Sequence, residues 1–402
     1  MKKVLVIGGG YGGLRAIEKL TKYDNIEIVL IDKNPYHYLQ TEAYGYIAGK
    51  FEVHDIAIDL HNWCQGFKNK VHFIHNEVIS IDFDAQEVMA GDSIITYDYI
   101  IIATGAETHF FSFISGLEEH THGVKTLERA YNFRKDFEHI IYNKLQNEKG
   151  SSKGQLNIVI GGAGLSGVEV AAEMAYAIQS YSKTIGDAAK DIRISLIDAS
   201  ETILPGMGNY IIRKTHKRLE ALGVHILTEA FIEKVDDSNI YFKSGDKLAY
   251  YFMIFTGGII ATELNTTIAH EKNKLKQFIT NRKLNIEGYT NAFAVGDCVE
   301  IRDKNNNILA PTAQIAEKSA EYVADSIKRN IKDLESEDFD TKVSGVFVAL
   351  GGHYAVGQVF KYIKVKGYFA YLLKKAITHT YYLGLRLRIN TGFGNRIKEN
   401  YF

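Results

Sequence analysis

Apolar positions along the chain fall into two copies of one pattern. Val4 to Ile7 is a short β-branched run, glycines follow, Leu14, Ile17 and Leu20 then recur at helical spacing, and Ile26 to Asp32 is a second apolar run. That order predicts strand, turn, helix, strand, because short continuous apolar runs suit buried strands and i, i+3 spacing suits a helix face. About 150 residues later it repeats: Asn157 to Ile160, glycines, a helical face of Val168, Ala171, Ala172 and Ala175, and a strand from Ile192 to Asp198. So long a period is not that of a solenoid. It predicts two large, related units in one chain.

Between them, Tyr142 to Gly154 is polar and rich in Lys, Asn, Ser and Gly, which predicts a surface connection. A third region begins near Ile331. There the acidic stretch Asp333 to Asp340 precedes Val343 to Phe360, which reads as two strands around the Gly351-Gly352 turn. Leu248 to Thr262 is also uncharged, but neither stretch suits a spanning helix, which wants roughly 20 apolar residues.

Composition narrows the class. With 402 residues, 46% hydrophobic and 24% charged, the chain suits two to three globular domains and excludes disorder or a fibrous repeat. The formal charge of −1 conceals an asymmetry: residues 361–402 hold nine Lys/Arg against Glu399, so a +8 tail follows a −9 body. Cys64 and Cys298 lie far apart with no dithiol spacing, which fits a reducing compartment without a disulfide framework. The apolar start breaks at Gly8, Gly9 and Gly10, which does not suit a signal peptide. His72/His75 and His120/His122 have no Cys or acidic companions at metal spacing, so no metal site is expected.

Gly8, Gly10 and Gly13 form G-x-G-x-x-G directly after a strand, and Asp32 ends the next strand 19 residues on. Glycines let the backbone reach a pyrophosphate at the positive end of a helix, and the carboxylate takes the ribose 2'-hydroxyl. Gly162, Gly164 and Gly167 repeat the motif, with Asp198 31 residues after Gly167, so Gln179 to Lys190 must form a longer helix or loop. No Lys or Arg occurs from Ala199 to Ile212, which favours NADH over NADPH. Tyr97 to Gly105 and Thr290 to Asp297 each predict a strand ending in a small-residue turn. The first places Thr104 and Gly105, and the second Gly296 and Asp297, where Asp297 could accept from a flavin ribityl hydroxyl.

Together these motifs resemble the two-dinucleotide-binding-domain flavoproteins and, within them, the type II NADH dehydrogenases, the non-pumping NADH:quinone oxidoreductases of membrane surfaces. The resemblance spans nearly the whole chain. It is carried by GGGYGGL (Gly8 to Leu14), KNPYHYLQTEA (Lys33 to Ala43), GGAGLSGVEV (Gly161 to Val170), TGG (Thr256, Gly257, Gly258), VGDC (Val295 to Cys298) and PTAQIA (Pro311 to Ala316). It implies non-covalent FAD, with NADH as substrate and a quinone, menaquinone or ubiquinone, as acceptor. Lys33, Thr41, Gly257, Gly258 and Ala313 would then join the cofactor-binding set. Glu169, read as a first-turn helix residue on the cofactor side, would orient the nicotinamide. Gln314, Lys318 and Lys374 would contact the quinone or its developing charge. Lys318 stands where the family usually has Gln, and a lysine is a point charge with no acceptor.

The architecture expected is α/β: two Rossmann-like domains plus a smaller C-terminal membrane-associating domain. The FAD-binding domain takes residues 1–120 and 266–332, the NADH-binding domain 121–265, and the C-terminal domain 333–402. In the tail, Phe369, Leu372, Leu373 and Ala376 share a helical face, and after Gly384 the pattern changes to Leu385, Leu387 and Ile389 alternating with Arg386 and Arg388. An apolar face rimmed by Tyr and Lys/Arg suits an in-plane anchor on a lipid surface, at the cytoplasmic face of the cell membrane. Its own domain or a second copy in a homodimer could cover the same face. No nucleic-acid recognition motif accompanies the basic composition. Two alternatives stay open, a sulfide:quinone oxidoreductase-like flavoprotein and an NADH-binding flavoprotein regulator without turnover.

Overall fold

The computed structural model describes residues 1–67, 70–146, 156–185, 191–264, 268–342, 345–360 and 362–391. In chain order the elements that position the site are β1 (Lys2–Ile7), α1 (Tyr11–Leu20), β2 (Ile26–Asp32), β3 (Val71–His75), β4 (Tyr99–Ile102), α2 (Leu127–Gln146), β5 (Leu156–Gly161), α3 (Leu165–Ile185), β6 (Ile192–Ile197), α4 (Asn209–Ala221), β7 (His225–Leu227), β8 (Phe252–Phe255), β9 (Ala292–Ala294), α5 (Ala313–Ile331), β10 (Gly345–Ala349), β11 (Ala355–Val359), β12 (Ile363–Gly367) and α6 (Tyr368–Thr391).

Two parallel sheets carry the molecule. The first has order β9-β4-β1-β2-β3 and the second β7-β6-β5-β8. Their central strands are buried on both faces, which accounts for continuous apolar runs rather than alternation. Residue 292 onward returns to the first sheet, where Ala292 to Ala294 pair with Ile100 to Ile102. Helix α1 packs along α5 and buries Leu14, Ile17 and Leu20.

The duplication runs further than the glycine motifs. In each unit a three-stranded antiparallel meander precedes the strand that pairs with the first: Val78–Asp82, Glu87–Ala90 and Ser93–Thr96 before β4, and Ile232–Val235, Asn239–Phe242 and Lys247–Ala249 before β8. The turns after β4 and β8 then meet, Ala106–Thr108 pairing antiparallel with Ile259–Ala261. The two units are thus joined at equivalent points, directly beside both candidate cofactor turns.

Several sequence expectations need correction. Residues 142–146 of the expected connection continue α2, and residues 147–154 lie outside those described. The longer helix that the wide spacing before β6 allowed is present, as α3 stays helical to Ile185, while residues 186–190 also lie outside those described. Cys64 belongs to a short helix, Leu60–Gln65. The Gly351-Gly352 turn joins β10 and β11 as expected, and both glycines have positive φ, but a third strand, β12, completes an antiparallel sheet. Most consequentially, α6 stays helical through residues 385–389. There Leu385 is buried (1% exposed) and Leu387 is exposed (54%), an opposition that one face of a strand cannot produce. Ala370, Lys374, Thr378, Tyr381 and Leu385 form the inner face of α6 at helical spacing.

Candidate functional site

The two glycine loops have the same geometry. Gly8 and Gly162 have φ of +103° and +101°, a region that glycine enters without steric cost. A Cβ on Gly13 would lie 1.9 Å from the Gly8 carbonyl oxygen, and one on Gly167 would lie 1.9 Å from that of Gly162. Space beside Gly10 and Gly164 is open, so each loop keeps a cradle free at its middle glycine.

The acids match as well. Asp32 accepts from the backbone N–H of Gly9 at 2.6 Å and of Asn34 at 2.7 Å. Asp198 accepts from Ala163 at 2.6 Å and Ser200 at 2.7 Å. Burial pushes the Asp32 carboxyl up, opposed by the Gly9 and Asn34 donors. Each carboxylate braces the loop and leaves oxygen lone pairs for a ribose hydroxyl. Opposite the loops, Gly8 lies against Ala103 and Thr104, and Gly162 against Thr256 and Gly257, which assigns ATG (103–105) and TGG (256–258) equivalent places. Thr256 donates to the carbonyls of Gly161 and Gly162 at 3.1 and 2.9 Å.

At the carboxyl ends of β1, β2 and β3 lies a cavity of about 360 Å³ lined by Gly8, Asp32, Lys33, Asn76, Thr104 and Glu107, among others. It lies where open α/β sheets bind ligands. Asn76 and Glu107 are additions that sequence reasoning missed. Lys33 stands 3.8 Å from both Glu77 and Glu107. Across the sheet, Gly296 (φ +75°) opens a tight turn against Ala316, and Asp297 faces Lys125 at 3.3 Å. The glycine cradle, the acid at the strand end and this cavity fit the adenosine and pyrophosphate of FAD.

Helix α5 begins at Ala313, capped by Thr312, whose hydroxyl accepts from the Ile315 N–H at 3.3 Å. Gln314, Glu317 and Lys318 share the helix face that follows. The Lys318 ammonium donates to the Lys342 carbonyl at 2.5 Å. Burial pushes the neighbouring Glu317 carboxyl up to about 7 against the opposing pull of Arg15. Glu317 was missed because a lone acid on a helix carries no sequence signal. Thr41 is exposed and shares a 2.8 Å hydrogen bond with Tyr11.

Glu169 is not in the first turn of its helix. It is the fifth residue of α3, and its carboxylate turns toward the C-terminal sheet and α6, accepting from the Ala349 N–H at 2.8 Å and pairing with the Lys374 ammonium. Burial raises the Glu169 carboxyl, and Lys374 opposes that. Nearby, buried Glu173 pairs with Lys50 at 2.9 Å, and buried Glu42 lies 3.6 Å from Lys375. The structure therefore brings Glu169 and Lys374 together, inside a charged seam that joins three parts of the chain.

A second seam was illegible in sequence. His37, 1% exposed, sits between the first glycine loop and α6. Its Nδ1 lies 2.9 Å from the Gly9 carbonyl, which can only accept, so Nδ1 carries the proton and Nε2 accepts from the Tyr381 hydroxyl at 3.1 Å. Burial lowers this imidazole to about 4, so it is neutral at physiological pH. Tyr11 stacks on Tyr381 with ring centres 5.0 Å apart. A Tyr381→Phe variant leaves Nε2 buried without its donor, and should lose about 1–3 kcal/mol of stability in thermal or urea unfolding.

Both cysteines are buried and reduced. Burial raises the Cys64 thiol to about 12 and the Cys298 thiol to about 11, far from the thiolate that sulfur relay chemistry needs.

Comparisons with known proteins identify the family. The model of the pyridine nucleotide-disulphide oxidoreductase family matches residues 2–320, so the chain is a member of that class. A type II NADH:quinone oxidoreductase of Staphylococcus aureus (strain MSSA476) is 30% identical over 389 residues, covering 94% of each chain. The protein from strain NCTC 8325 is 30% identical over 372 residues, 89% of this chain and 90% of that one. The chain belongs to the type II NADH:quinone oxidoreductases. In fold it is similar to NDH2 from Plasmodium falciparum in complex with NADH, with a TM-score of 0.86, 21% identity and coverage of 100% and 98%. It is also similar to the sulfide:quinone oxidoreductase of Aquifex aeolicus, with a TM-score of 0.81, 20% identity and coverage of 100% and 96%. The fold alone does not separate those two chemistries. The 30% identity to type II NADH:quinone oxidoreductases over 94% of the chain does.

Proposed function

We propose the following division of labour for this FAD-dependent NADH:quinone oxidoreductase. The observation that carries it is the matched pair of glycine loops, each braced by an acid at the next strand end, in a chain 30% identical to type II enzymes over 94% of its length. Gly8, Gly10, Gly13, Asp32, Lys33, Thr104 and Gly105 hold FAD from the β1 side, with Gly296, Asp297 and Ala313 closing from the other. Gly162, Gly164, Gly167 and Asp198 hold NADH, and Gly257 and Gly258 let the chain approach it closely. Bound FAD supplies the electron chemistry, taking hydride from NADH and giving electrons to quinone.

The protein's own work is placement. Glu169 acts through its partners: held by Ala349 and Lys374, it ties the helix that follows the second glycine loop to the C-terminal sheet and α6, and so fixes the wall on the nicotinamide side. Thr41, fixed by Tyr11, borders the flavin ring. Gln314 offers an amide donor to a quinone carbonyl. Lys318, and Lys374 behind Glu169, supply positive charge where negative charge develops on the quinone. Among the described residues no helix is long and apolar enough to cross a membrane. The outer face of α6, with Phe369, Leu372, Ile377, Leu383 and Leu387 exposed, supports a peripheral association with a lipid surface, which we assign to the cytoplasmic face, with menaquinone or ubiquinone entering from the lipid. A homodimer is the competing cover for that face.

Steady-state oxidation of NADH with a soluble short-chain quinone tests the reading. Quinol should form in step with NADH loss. Sulfide should drive no quinone reduction when NADH is omitted. Asp198→Ala should raise the KM for NADH at least tenfold with the quinone KM unchanged, since it removes the ribose acceptor and the brace on Ala163.

A further inference from the structure

Beside the C-terminal sheet lies a cationic surface that the site does not use. Strand β12 is the edge strand of the β10-β11-β12 sheet. Helix α4 packs beside this sheet, its Tyr210 hydroxyl 3.4 Å from the Val365 carbonyl. The Lys364 ammonium lies 5.5 Å from the centre of the Tyr210 ring, so Lys364, and Lys366 two residues on, face α4. From α4 come Arg213, Lys214 and Lys217, with His216 between them. The positive charges of Lys366, Arg213 and Lys217 lower the Lys214 ammonium, the mark of like charges gathered without enough acid among them. Glu220 is the acid that lines the same cleft as Arg213, Lys217 and Lys364.

The adjoining hairpin tip is apolar. Phe360 and Tyr362, between β11 and β12, and Ile363, the first residue of β12, are 66%, 85% and 56% exposed. Soluble surfaces rarely present three large apolar side chains at one turn without a partner. Lysines on an edge strand also discourage strand addition, but that role requires neither the cations of α4 nor an aromatic tip.

We propose that the α4–β12 ledge and its hairpin tip form a second membrane contact, separate from α6, that takes the phosphate headgroups of an anionic bilayer. Lys214, Lys364, Lys366 and Arg213 pair with headgroup phosphates, while Tyr362 and Ile363 enter the interfacial layer. Apolar side chains rimmed by cations are what such a surface recognises. A soluble polyanion would have no use for the exposed apolar tip. The inference rests on the membrane reading above, and it locates one of the contacts across α4 of the second nucleotide-binding unit and β12 of the C-terminal sheet rather than on the tail helix.

Flotation of the FAD-loaded full chain with vesicles of phosphatidylcholine, alone or mixed with phosphatidylglycerol, tests it. Three variants are compared with the native chain: Lys214→Gln/Lys364→Gln/Lys366→Gln, Tyr362→Ser/Ile363→Ser, and the α6-face variant Leu372→Ser/Leu383→Ser/Leu387→Ser. FAD content and activity with a soluble quinone should be unchanged in the two ledge variants, which shows that they fold. The triple-lysine variant should lose about 100-fold in partition onto the anionic vesicles and show a shallower salt dependence, with binding to neutral vesicles unchanged. The tip variant should weaken binding to both. Native partition and salt dependence in both ledge variants, with release of the α6-face variant, would overturn the ledge and leave the membrane reading standing. Failure of the native chain to float with either vesicle would overturn both. Retention on heparin that the triple-lysine variant loses, with no effect of the tip variant on vesicles, would assign the patch to a soluble polyanion and overturn the bilayer proposal.

Discussion

A Gly13→Val protein will emerge without FAD and without NADH oxidation, whereas Gly167→Val will keep its flavin and lose only the response to NADH. The cause is the same in both loops. A side chain at either position would place its Cβ 1.9 Å from the carbonyl oxygen of Gly8 or Gly162, a distance that only backbone movement relieves. That movement closes the cradle and pulls apart the helix–strand contact on which pyrophosphate binding depends. The asymmetric outcome follows from assigning different dinucleotides to structurally equivalent loops. Flavin absorbance of the purified variants, before and after NADH, separates them. Loss of FAD in Gly167→Val with retention in Gly13→Val would reverse the assignment.

Removing the Lys374 ammonium should have the next largest effect. In Lys374→Met, buried Glu169 keeps the Ala349 N–H but loses its counter-ion, and breaking a buried pair in this way costs about 3–5 kcal/mol. The deficit has a definite pH dependence. Burial already raises the Glu169 carboxyl above its ordinary value, and Lys374 is the main opposing influence, so the variant raises it further. A carboxyl whose folded pKa lies above its unfolded one gives up its proton more readily in the unfolded chain. Stability therefore falls as pH climbs from the ordinary carboxylate value through the raised one. Thermal unfolding should show the Lys374→Met deficit smallest near pH 5 and largest near pH 8. A deficit independent of pH would mean that the pair contributes packing rather than charge compensation. Because Glu169 must be ionised to hold the nicotinamide side, NADH turnover of the variant should show the opposite trend, lowest near pH 5 and recovering as pH climbs through the raised carboxyl value.

What the sequence disclosed and what it hid divide along physical lines. Both glycine loops, both acids and the strands before them were legible because their chemistry is local: glycines at fixed offsets, an apolar run, a carboxylate at a strand end. The meanders before β4 and β8 were not, since their strands are short and partly exposed, so alternation is weak in each. His37 offered no signal at all. Its partners, the Gly9 carbonyl and the Tyr381 hydroxyl, lie 28 and 344 residues away, and only the fold brings them within reach. Misreading residues 385–389 as a change of pattern came from alternating Leu and Arg, which a helix also satisfies. The decisive clue was available further back, in the spacing of Ala370, Lys374, Thr378, Tyr381 and Leu385. Glu169 was found by its distance from a glycine, but its direction depended on β10 and α6, whose docking no local motif encodes.

The central claim is that electrons enter from NADH at one braced loop and leave to a quinone near the start of α5. Anaerobic rapid mixing of the FAD-loaded protein tests it most directly, first with NADH and then with a short-chain quinone, following flavin absorbance throughout. The expected result is bleaching by one equivalent of NADH and full recovery of absorbance by one equivalent of quinone. Bleaching that no quinone reverses, or a flavin that NADH leaves oxidised while sulfide bleaches it, would contradict the account.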